Sequence, residues 1–297
     1  MSTIKPILKW AGGKTQLLAD ISNAYPDGFG DTINKFVEPF VGGGAVLFDV
    51  LSKYQLEEVY ISDINAELIN MYIMVRDHID ELIEILSVYQ QDYIALDTEG
   101  RKDYYYNKRD EYNLLIQNGQ SQEGVESAAL FIFLNRTCFN GLYRANKSGL
   151  FNVPTGDYAN PLICNEANLR AVSEALENVH IICADYSASI DHIDQTTLVY
   201  LDPPYRPLKG RDSFTSYTEQ DFDDSCQKAL AGFIEEIDAR GAYIILSNSD
   251  PKNVDPDDDF FDDLFADYDI QRINAKRRIN RNSDHRGYIT ELLIKNY

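Results

Sequence analysis

Residues 197–205 read Thr-Leu-Val-Tyr-Leu-Asp-Pro-Pro-Tyr, an apolar and β-branched run followed by a carboxylate, two prolines and an aromatic ring. Such a run predicts a buried strand that ends before Asp202. Open α/β sheets bind ligands at the carboxyl ends of their strands. Because proline lacks a backbone N–H, the carbonyls near Asp202 would remain acceptors, with the Tyr205 ring beside them. The stretch therefore indicates a pocket for a flat ring with an exocyclic amino group, although these four residue types also form surface turns.

Short strands alternate with helices on both sides of this stretch. The sequence predicts further strands over 35–37, 59–62, 180–183 and 242–247, and a last strand over 290–296 paired with 268–273. Helices are predicted over 45–54, 165–176 and 219–239. This alternation predicts an α/β fold with a mostly parallel sheet.

The middle of the chain has a different pattern. Residues 80–129 predict long charged helices, interrupted near Asn118, and residues 135–157 predict an irregular hairpin rich in Asn, Gly, Arg and aromatic residues. We therefore predict a catalytic domain formed by residues 1–79 and 165–297. A mainly helical insertion would occupy residues 80–164 and carry the hairpin.

Charge is distributed unevenly along the 297 residues, whose formal net charge is -21. Eight aspartates and no basic residue lie between Asp255 and Asp269, whereas seven Lys or Arg face two acids between Gln271 and Tyr297. The net charge argues against a polyanionic partner, because the overall field would repel it. The basic segments still allow a nucleic-acid groove, and the alternative is a solvated surface of uneven charge.

The ends of the chain and its cysteines predict a cytoplasmic protein without membrane contact. The N-terminal ten residues lack the apolar stretch of a signal peptide, and the longest apolar run, 128–134, is too short to span a bilayer. The four cysteines are widely spaced, which favours neither a disulfide framework nor a metal site.

A second candidate site lies in a glycine-rich turn. Residues 10–15, Trp-Ala-Gly-Gly-Lys-Thr, have the composition of a phosphate-binding loop but not its spacing. Residues 40–44, Phe-Val-Gly-Gly-Gly, follow a predicted strand and would let a ligand approach the backbone. Glu38 and Asp63 end two strands at the spacing at which a carboxylate can accept from ribose hydroxyls. Asp185 and Tyr186 could bind an adenine ring, although Asp185 could instead cap a helix.

Five blocks of the sequence resemble a known family. Residues 8–14 read Leu-Lys-Trp-Ala-Gly-Gly-Lys, residues 36–44 read Phe-Val-Glu-Pro-Phe-Val-Gly-Gly-Gly, and residues 63–65 read Asp-Ile-Asn. The fourth block runs from Asn-Arg at 135–136 to Phe-Asn-Val-Pro at 151–154, and the fifth, residues 202–205, reads Asp-Pro-Pro-Tyr. In this order they resemble the Dam-like DNA adenine-N6 methyltransferases of the alpha group, or D12 class. The resemblance implies a Rossmann-like, S-adenosylmethionine-dependent methyltransferase sheet whose insertion recognises the DNA target.

The resemblance implies S-adenosylmethionine as the cofactor. Lys14 suits the methionine carboxylate of this cofactor, and Trp10, the one tryptophan in the chain, either contacts the cofactor or fills the core. The candidate cofactor residues are Trp10, Ala11, Gly12, Gly13, Lys14, Glu38, Pro39, Phe40, Gly42, Gly44, Asp63, Asp185, Tyr186 and Asp202.

Methylation of adenine N6 would rest on the Asp-Pro-Pro-Tyr segment. The Asp202 carboxylate and the Pro203 carbonyl would accept the two amino hydrogens, Tyr205 would stack on the base, and no metal is required. Because the pocket cannot reach a base inside a duplex, we expect base flipping. The candidate DNA-binding residues are Lys9, Arg136, Phe139, Asn140, Leu142, Arg144, Pro154, Arg277, Arg278 and Arg281, with Phe139 as the wedge and Arg144 as the reader of guanine.

The leading hypothesis is thus an adenine-specific methyltransferase acting on double-stranded DNA, with GATC as its target. A cognate restriction endonuclease and a monomeric or weakly dimeric state are further expectations. The alternatives are a methyltransferase for RNA or for cytosine N4, and a non-catalytic nucleic-acid-binding regulator with the same fold.

Overall fold

The computed structural model describes residues 4–206, 222–276 and 288–297. Its α-helices are α1 (Leu18–Asn23), α2 (Ala45–Lys53), α3 (Ala66–Asp77), α4 (Ile79–Ala95), α5 (Thr98–Gln117), α6 (Val125–Thr137), α7 (Glu166–Leu176), α8 (Asp224–Ala239) and α9 (Phe260–Leu264). Its strands are β1 (Lys35–Glu38), β2 (Glu58–Asp63), β3 (Val179–Cys183), β4 (Thr197–Leu201), β5 (Tyr243–Ser249), β6 (Asp269–Lys276) and β7 (Tyr288–Lys295). None of the described helices is long and apolar enough to cross a membrane.

The seven described strands form one sheet in the order β3-β2-β1-β4-β5-β7-β6. Strand β1 pairs in parallel with β2 and β4, and β4 pairs in parallel with β5. Strand β7 is antiparallel to both β5 and β6. Every residue of β4 is buried, as the apolar run before Asp202 predicts for a central parallel strand. The mixed α/β architecture therefore agrees with the fold class predicted from the sequence.

The chain divides into two compact units, of which the second comprises Lys14–Val41, Tyr54–Ile61 and Asp185–Tyr297. Its core lies between helix α8 and strands β4, β5 and β7. Leu230, Ile234 and Ile237 of α8 are almost fully buried, because an apolar stripe at helical spacing covers the sheet. This packing fixes the position of β4, whose carboxyl end precedes Asp202.

The first unit comprises Met1–Gly13, Gly42–Lys53 and Ser62–Ala184 and is mainly helical. Its central element is α6, which packs against α3, α4 and α5. The residues from Ser127 to Asn135 are all buried, as expected for a helix surrounded on every side. Helix α5 ends at Gln117, and Asn118 caps it, which confirms the predicted interruption. The predicted domain boundaries at residues 80 and 164 remain a prediction.

Most elements follow the sequence-based expectation, and one differs at its start. The helix predicted over 219–239 begins at Asp224, because the Asp223 side chain accepts the backbone N–H groups of Ser225 and Cys226 and so caps it. Residues 219–221 lie outside the described residues. The isolated antiparallel bridges Cys138–Thr155 and Ala145–Phe151 show an irregular pairing within residues 135–157, where a hairpin was predicted.

Candidate active site

In the second unit, strand β4 ends at a small network of ionisable side chains. Lys14 Nζ lies 2.7 Å from Asp202 Oδ1, donates to the Tyr205 hydroxyl over 2.6 Å and lies 4.6 Å from the centre of the Tyr205 ring. The Tyr205 hydroxyl donates to Glu291 Oε2 over 2.6 Å. Lys14 is 4% exposed, so this cation is held inside the protein next to Asp202. The structure thus brings the predicted residues Lys14, Asp202 and Tyr205 together.

Burial shifts the pKa of two members of this network, Asp202 and Tyr205. It raises the pKa of Asp202, while the charge of Lys14 and its hydrogen bond act in the opposite direction. Burial, and then the charges of Asp202 and Glu291, raise the pKa of Tyr205 well above its usual value, so the phenol keeps its proton.

The loop after Tyr205 is held by the acidic segment. Arg206 Nη1 lies 2.7 Å from Asp258 and its Nε pairs with Asp224. The Arg206 guanidinium also lies 4.1 Å from the centre of the Phe260 ring. The Pro204 carbonyl accepts from the Gln227 side chain over 3.2 Å. One aspartate of the 255–269 run therefore acts structurally, in fixing the chain just beyond Tyr205.

In the first unit, the glycine turn is formed around Asp63. Its carboxylate accepts the Gly42 N–H over 3.1 Å and the Asn65 N–H over 2.9 Å, and burial raises its pKa. Gly42 and Gly44 have φ of 47° and 71°, which favours glycine. A Cβ at Gly44 would lie 2.7 Å from the Tyr72 hydroxyl. The Ile64 backbone also bonds to this carboxylate, so Asp63 holds the turn itself through three backbone groups.

Trp10 covers this glycine turn in the first unit. A Cβ at Gly43 would lie 2.9 Å from Trp10 Cβ, so only glycine allows this close approach. The indole stacks on Tyr143, with ring centres 5.7 Å apart and planes at 21°. Phe131 packs on Trp10 at an angle, with ring centres 6.3 Å apart. Trp10 is half-buried, so it both fills space and leaves part of its ring accessible.

Asp185 and Tyr186 are positioned in the second unit after β3. The Asp185 side chain accepts the Ser187 N–H over 3.0 Å and caps a short 3₁₀ helix, as the alternative interpretation expected. Tyr186 stacks on Phe40, with ring centres 5.5 Å apart. Asp185 is exposed, which leaves its second oxygen accessible. Glu38 and Pro39, at the end of β1, are buried.

Residues 135–157, where a hairpin was predicted, present one large apolar side chain. Phe139 is 54% exposed, and the adjacent Asn140 has a φ of 59°. Arg144 Nε donates to Asn152 Oδ1 over 2.8 Å, which orients the guanidinium along the hairpin. Leu142 is half-buried and Pro154 is exposed.

Lys9 is packed against the base of the same hairpin. Asn135 accepts the Lys9 N–H over 2.9 Å and donates to the carbonyls of Lys9 and Gly141. A Cβ at Gly141 would lie 2.4 Å from Lys9 Cδ, and the Lys9 ammonium lies 4.8 Å from the centre of the Tyr158 ring. Arg136 is half-buried, and burial lowers its pKa. The predicted hairpin segment therefore carries the exposed Phe139 ring and the oriented Arg144, and Lys9 packs against it.

The sequence also matches known proteins. Residues 10–279 match the family model of the D12 class N6 adenine-specific DNA methyltransferases. The chain belongs to this family. It is an adenine-specific DNA methyltransferase, as the five sequence blocks predicted.

Related sequences align with nearly the whole chain of this methyltransferase. It is 49% identical to the Type II methyltransferase M.MjaIII of Methanocaldococcus jannaschii over 99% of both chains. It is 35% identical to the Type II methyltransferase M1.LlaDCHI of Lactococcus lactis subsp. cremoris, over 99% of this chain and 96% of the relative. It is 33% identical to the DNA adenine methylase of Escherichia coli strain K12, over 99% of this chain and 95% of the relative.

Three residues that contact the site were not predicted from the sequence. Glu291 and Tyr143 contact predicted site residues, although neither belongs to one of the five blocks. Asn152 contacts Arg144 and lies in a block, but the resemblance assigned it no role. Glu291 is the one acid in the final strand, and this isolation was the available signal. The candidate DNA-binding residues Arg277, Arg278 and Arg281 lie outside the described residues.

Proposed function

We propose that the enzyme transfers a methyl group from S-adenosylmethionine to N6 of an adenine flipped out of double-stranded DNA, within the sequence GATC. The observation that carries the proposal is the position of Asp202. Strand β4 delivers its carboxylate to a buried network with Lys14 and the Tyr205 hydroxyl. An acceptor with a raised pKa beside an aromatic ring suits an amino group on a flat base.

The cofactor assignment rests on two separate sets of residues. When bound, S-adenosylmethionine supplies an electrophilic methyl group on a sulfonium. In the second unit, Lys14 would pair with its carboxylate, and Phe40, Asp185 and Tyr186 offer an aromatic and acidic surface for its adenine. In the first unit, Asp63 would accept from its ribose hydroxyls. The remaining proposed contacts are Trp10, Ala11, Gly12, Gly13, Glu38, Pro39, Gly42, Gly44 and Asp202.

The glycine turn is closely packed on one side. A Cβ at Gly44 would lie 2.7 Å from the Tyr72 hydroxyl, and a Cβ at Gly43 would lie 2.9 Å from Trp10 Cβ. The missing side chains therefore let Tyr72 and Trp10 pack against the turn. Gly42 and Gly43 are half-buried and leave backbone within reach of a ligand, and the Asp63 carboxylate would accept from the donor groups of a nucleoside.

Adenine N6 needs two acceptors, because its lone pair is delocalised into the ring. The Asp202 carboxylate and the Pro203 carbonyl would accept the two amino hydrogens and turn the lone pair toward the methyl donor. The fixed carboxylate would also stabilise positive charge as it develops on N6. After transfer the nitrogen is acidic, and its proton would leave to Asp202 or to water.

The hairpin supplies candidates for base flipping and sequence reading. The exposed Phe139 ring suits a wedge that enters a base step. Arg144, oriented by Asn152, is the candidate reader of guanine, and Leu142 suits a thymine methyl. The other proposed DNA contacts are Lys9, Arg136, Asn140, Pro154, Arg277, Arg278 and Arg281.

Two relatives carry the name Type II methyltransferase, and we extend this context to the present enzyme. A restriction endonuclease would then cut the same sequence when it is unmethylated. The enzyme would act in the cytoplasm as a monomer or weak dimer.

The decisive experiment follows a labelled methyl group from S-adenosylmethionine into unmethylated plasmid DNA. Nucleoside analysis would identify the methylated base, and sequencing would locate it. We expect N6-methyladenine within GATC. A matched plasmid without GATC is the control. N6-methyladenine in another motif would overturn the target assignment alone, while labelling of neither plasmid with this cofactor would overturn the proposed donor.

A further inference from the structure

Glu291 reaches the network of the second unit through the reversed strand of the sheet. Because β7 runs antiparallel to β5, the early residues of β7 lie at the carboxyl ends of the parallel strands. Glu291 pairs with Ser249, the last residue of β5, and with Ile273 of β6. Its side chain is 16% exposed. An acid from the last strand therefore lies at the same edge of the sheet as Asp202.

The Tyr205 hydroxyl is bonded on both sides, which fixes the direction of each hydrogen bond. It accepts from Lys14 over 2.6 Å and donates to Glu291 over 2.6 Å. Lys14 cannot accept and an ionised Glu291 cannot donate, so the phenol has one arrangement available. Glu291 Oε2 also lies 3.9 Å from Lys14 Nζ, so two carboxylates, Asp202 and Glu291, share one ammonium.

We propose that Glu291 is a positioning residue for methyl transfer, and that it acts through Tyr205. This inference rests on the proposed function, in which the Tyr205 ring stacks on the target adenine. Bonds at the hydroxyl restrict the far end of the ring, so its face is already oriented when the base arrives. A hydrogen bond to a charged acceptor is strong enough to maintain that orientation.

A double-mutant cycle tests the proposal. The rate of a single turnover would be measured with a cognate duplex and saturating S-adenosylmethionine for wild type, Glu291→Ala, Tyr205→Phe and the double variant. We expect Glu291→Ala to lose about tenfold to a hundredfold in rate, the cost of a bond to a charged group. Because Tyr205→Phe already lacks the hydroxyl, adding Glu291→Ala to it should cost less than about threefold.

Two further variants separate positioning from a structural role. Glu291→Gln keeps an oxygen that accepts from Tyr205 and should recover most of the lost rate. Asp238→Asn is the matched control, because Asp238 accepts from the Tyr268 hydroxyl over 3.2 Å in the same unit. It should leave the single-turnover rate unchanged. Melting temperatures and dissociation constants for the cofactor and for DNA would be measured on every variant.

The outcomes are distinguishable. Suppose that wild type methylates adenine. The positioning role is then overturned if the rate losses of Glu291→Ala and Tyr205→Phe multiply in the double variant. It is also overturned if the rate of Glu291→Ala equals that of wild type. If wild type forms no N6-methyladenine, the proposed function fails, and the assignment of Glu291 fails with it. If Glu291→Ala does not fold, the rates of Glu291→Gln and Tyr205→Phe still test the proposal. A rate for Glu291→Gln as low as that of Tyr205→Phe contradicts the acceptor role of Glu291.

Discussion

Lys14 Nζ lies 2.7 Å from Asp202 Oδ1, so the proposed acceptor of the adenine amino group is paired with a cation. The same ammonium is the proposed partner of the cofactor carboxylate. A shift of Lys14 toward that carboxylate would free Asp202 for the base. The pair therefore links the two halves of the proposed reaction through a single side chain.

Replacing Asp202 should abolish most of the methyl transfer. We expect Asp202→Ala to lower the single-turnover rate by at least about 100-fold, because a preorganised group at the developing charge is removed. Asp202→Asn, which keeps one acceptor oxygen without the charge, should lie between this variant and wild type. Methyl incorporation and DNA affinity would be measured together. Full methylation by Asp202→Ala with unchanged DNA binding would contradict the mechanism.

Replacing Lys14 should move the acid limb of the pH–rate profile. Burial raises the pKa of Asp202 and Lys14 lowers it, so Lys14→Met should raise this pKa further. Activity requires the ionised carboxylate and is lost as pH falls through its pKa, so the limb should shift to higher pH. Rates would be measured at saturating cofactor. The control is Lys35→Met, which removes a lysine paired with Asp194 in the same unit. An acid limb that stays in place in Lys14→Met would show that Lys14 does not lower the pKa of Asp202.

Arg144→Ala should relax sequence choice more than it weakens cofactor binding. Loss of a bidentate guanine contact costs about 1–3 kcal/mol in discrimination, or about 5- to 150-fold. Rates on a cognate duplex and on one with the guanine replaced would measure this ratio. Lys147→Ala, an exposed cation of the same hairpin, is the control and should keep the ratio. A selective loss of cofactor affinity in Arg144→Ala would argue against the reading role.

Two glycine substitutions should have opposite effects on the free energy of unfolding. Gly44→Ala should cost about 2 kcal/mol or more, because its φ is 71° and its Cβ would lie 2.7 Å from the Tyr72 hydroxyl. Gly232→Ala, within α8 and with no atom within 4 Å of the new Cβ, should gain about 0.5–1 kcal/mol. Urea denaturation would measure both. Equal stabilities for the two variants would show that the turn accepts a side chain.

Thiol reagents should distinguish two cysteines. Burial raises the pKa of Cys138 to about 11, and its Sγ contacts the Leu142 carbonyl at 3.2 Å. At pH 8 its thiolate is scarce and inaccessible, so exposed Cys183 should be alkylated first. Mass spectrometry of the native and the urea-unfolded protein would locate the modifications. Rapid labelling of Cys138 in the native protein would mean that the base of the hairpin opens readily.

Local patterns predicted the elements well and their long-range contacts poorly. Strand β4 was predicted from its apolar run alone, and α7 from its helical spacing. The Tyr205–Glu291 bond joins residues 86 positions apart, and its formation depends on the reversal of β7 beside β5. The stacking of Trp10 on Tyr143 likewise depends on how α6 and the hairpin pack. The family resemblance named the motif residues but not the side chains that orient them.

The ion pair between Arg206 and Asp224 joins the residue after Tyr205 to the first residue of α8. Arg206 is 9% exposed, and Asp258 is its second acidic partner. One guanidinium thus fastens the end of the Asp-Pro-Pro-Tyr segment to two acids from different parts of the sequence. Lysine, a point charge without the planar fork of arginine, could not hold both acids in this way.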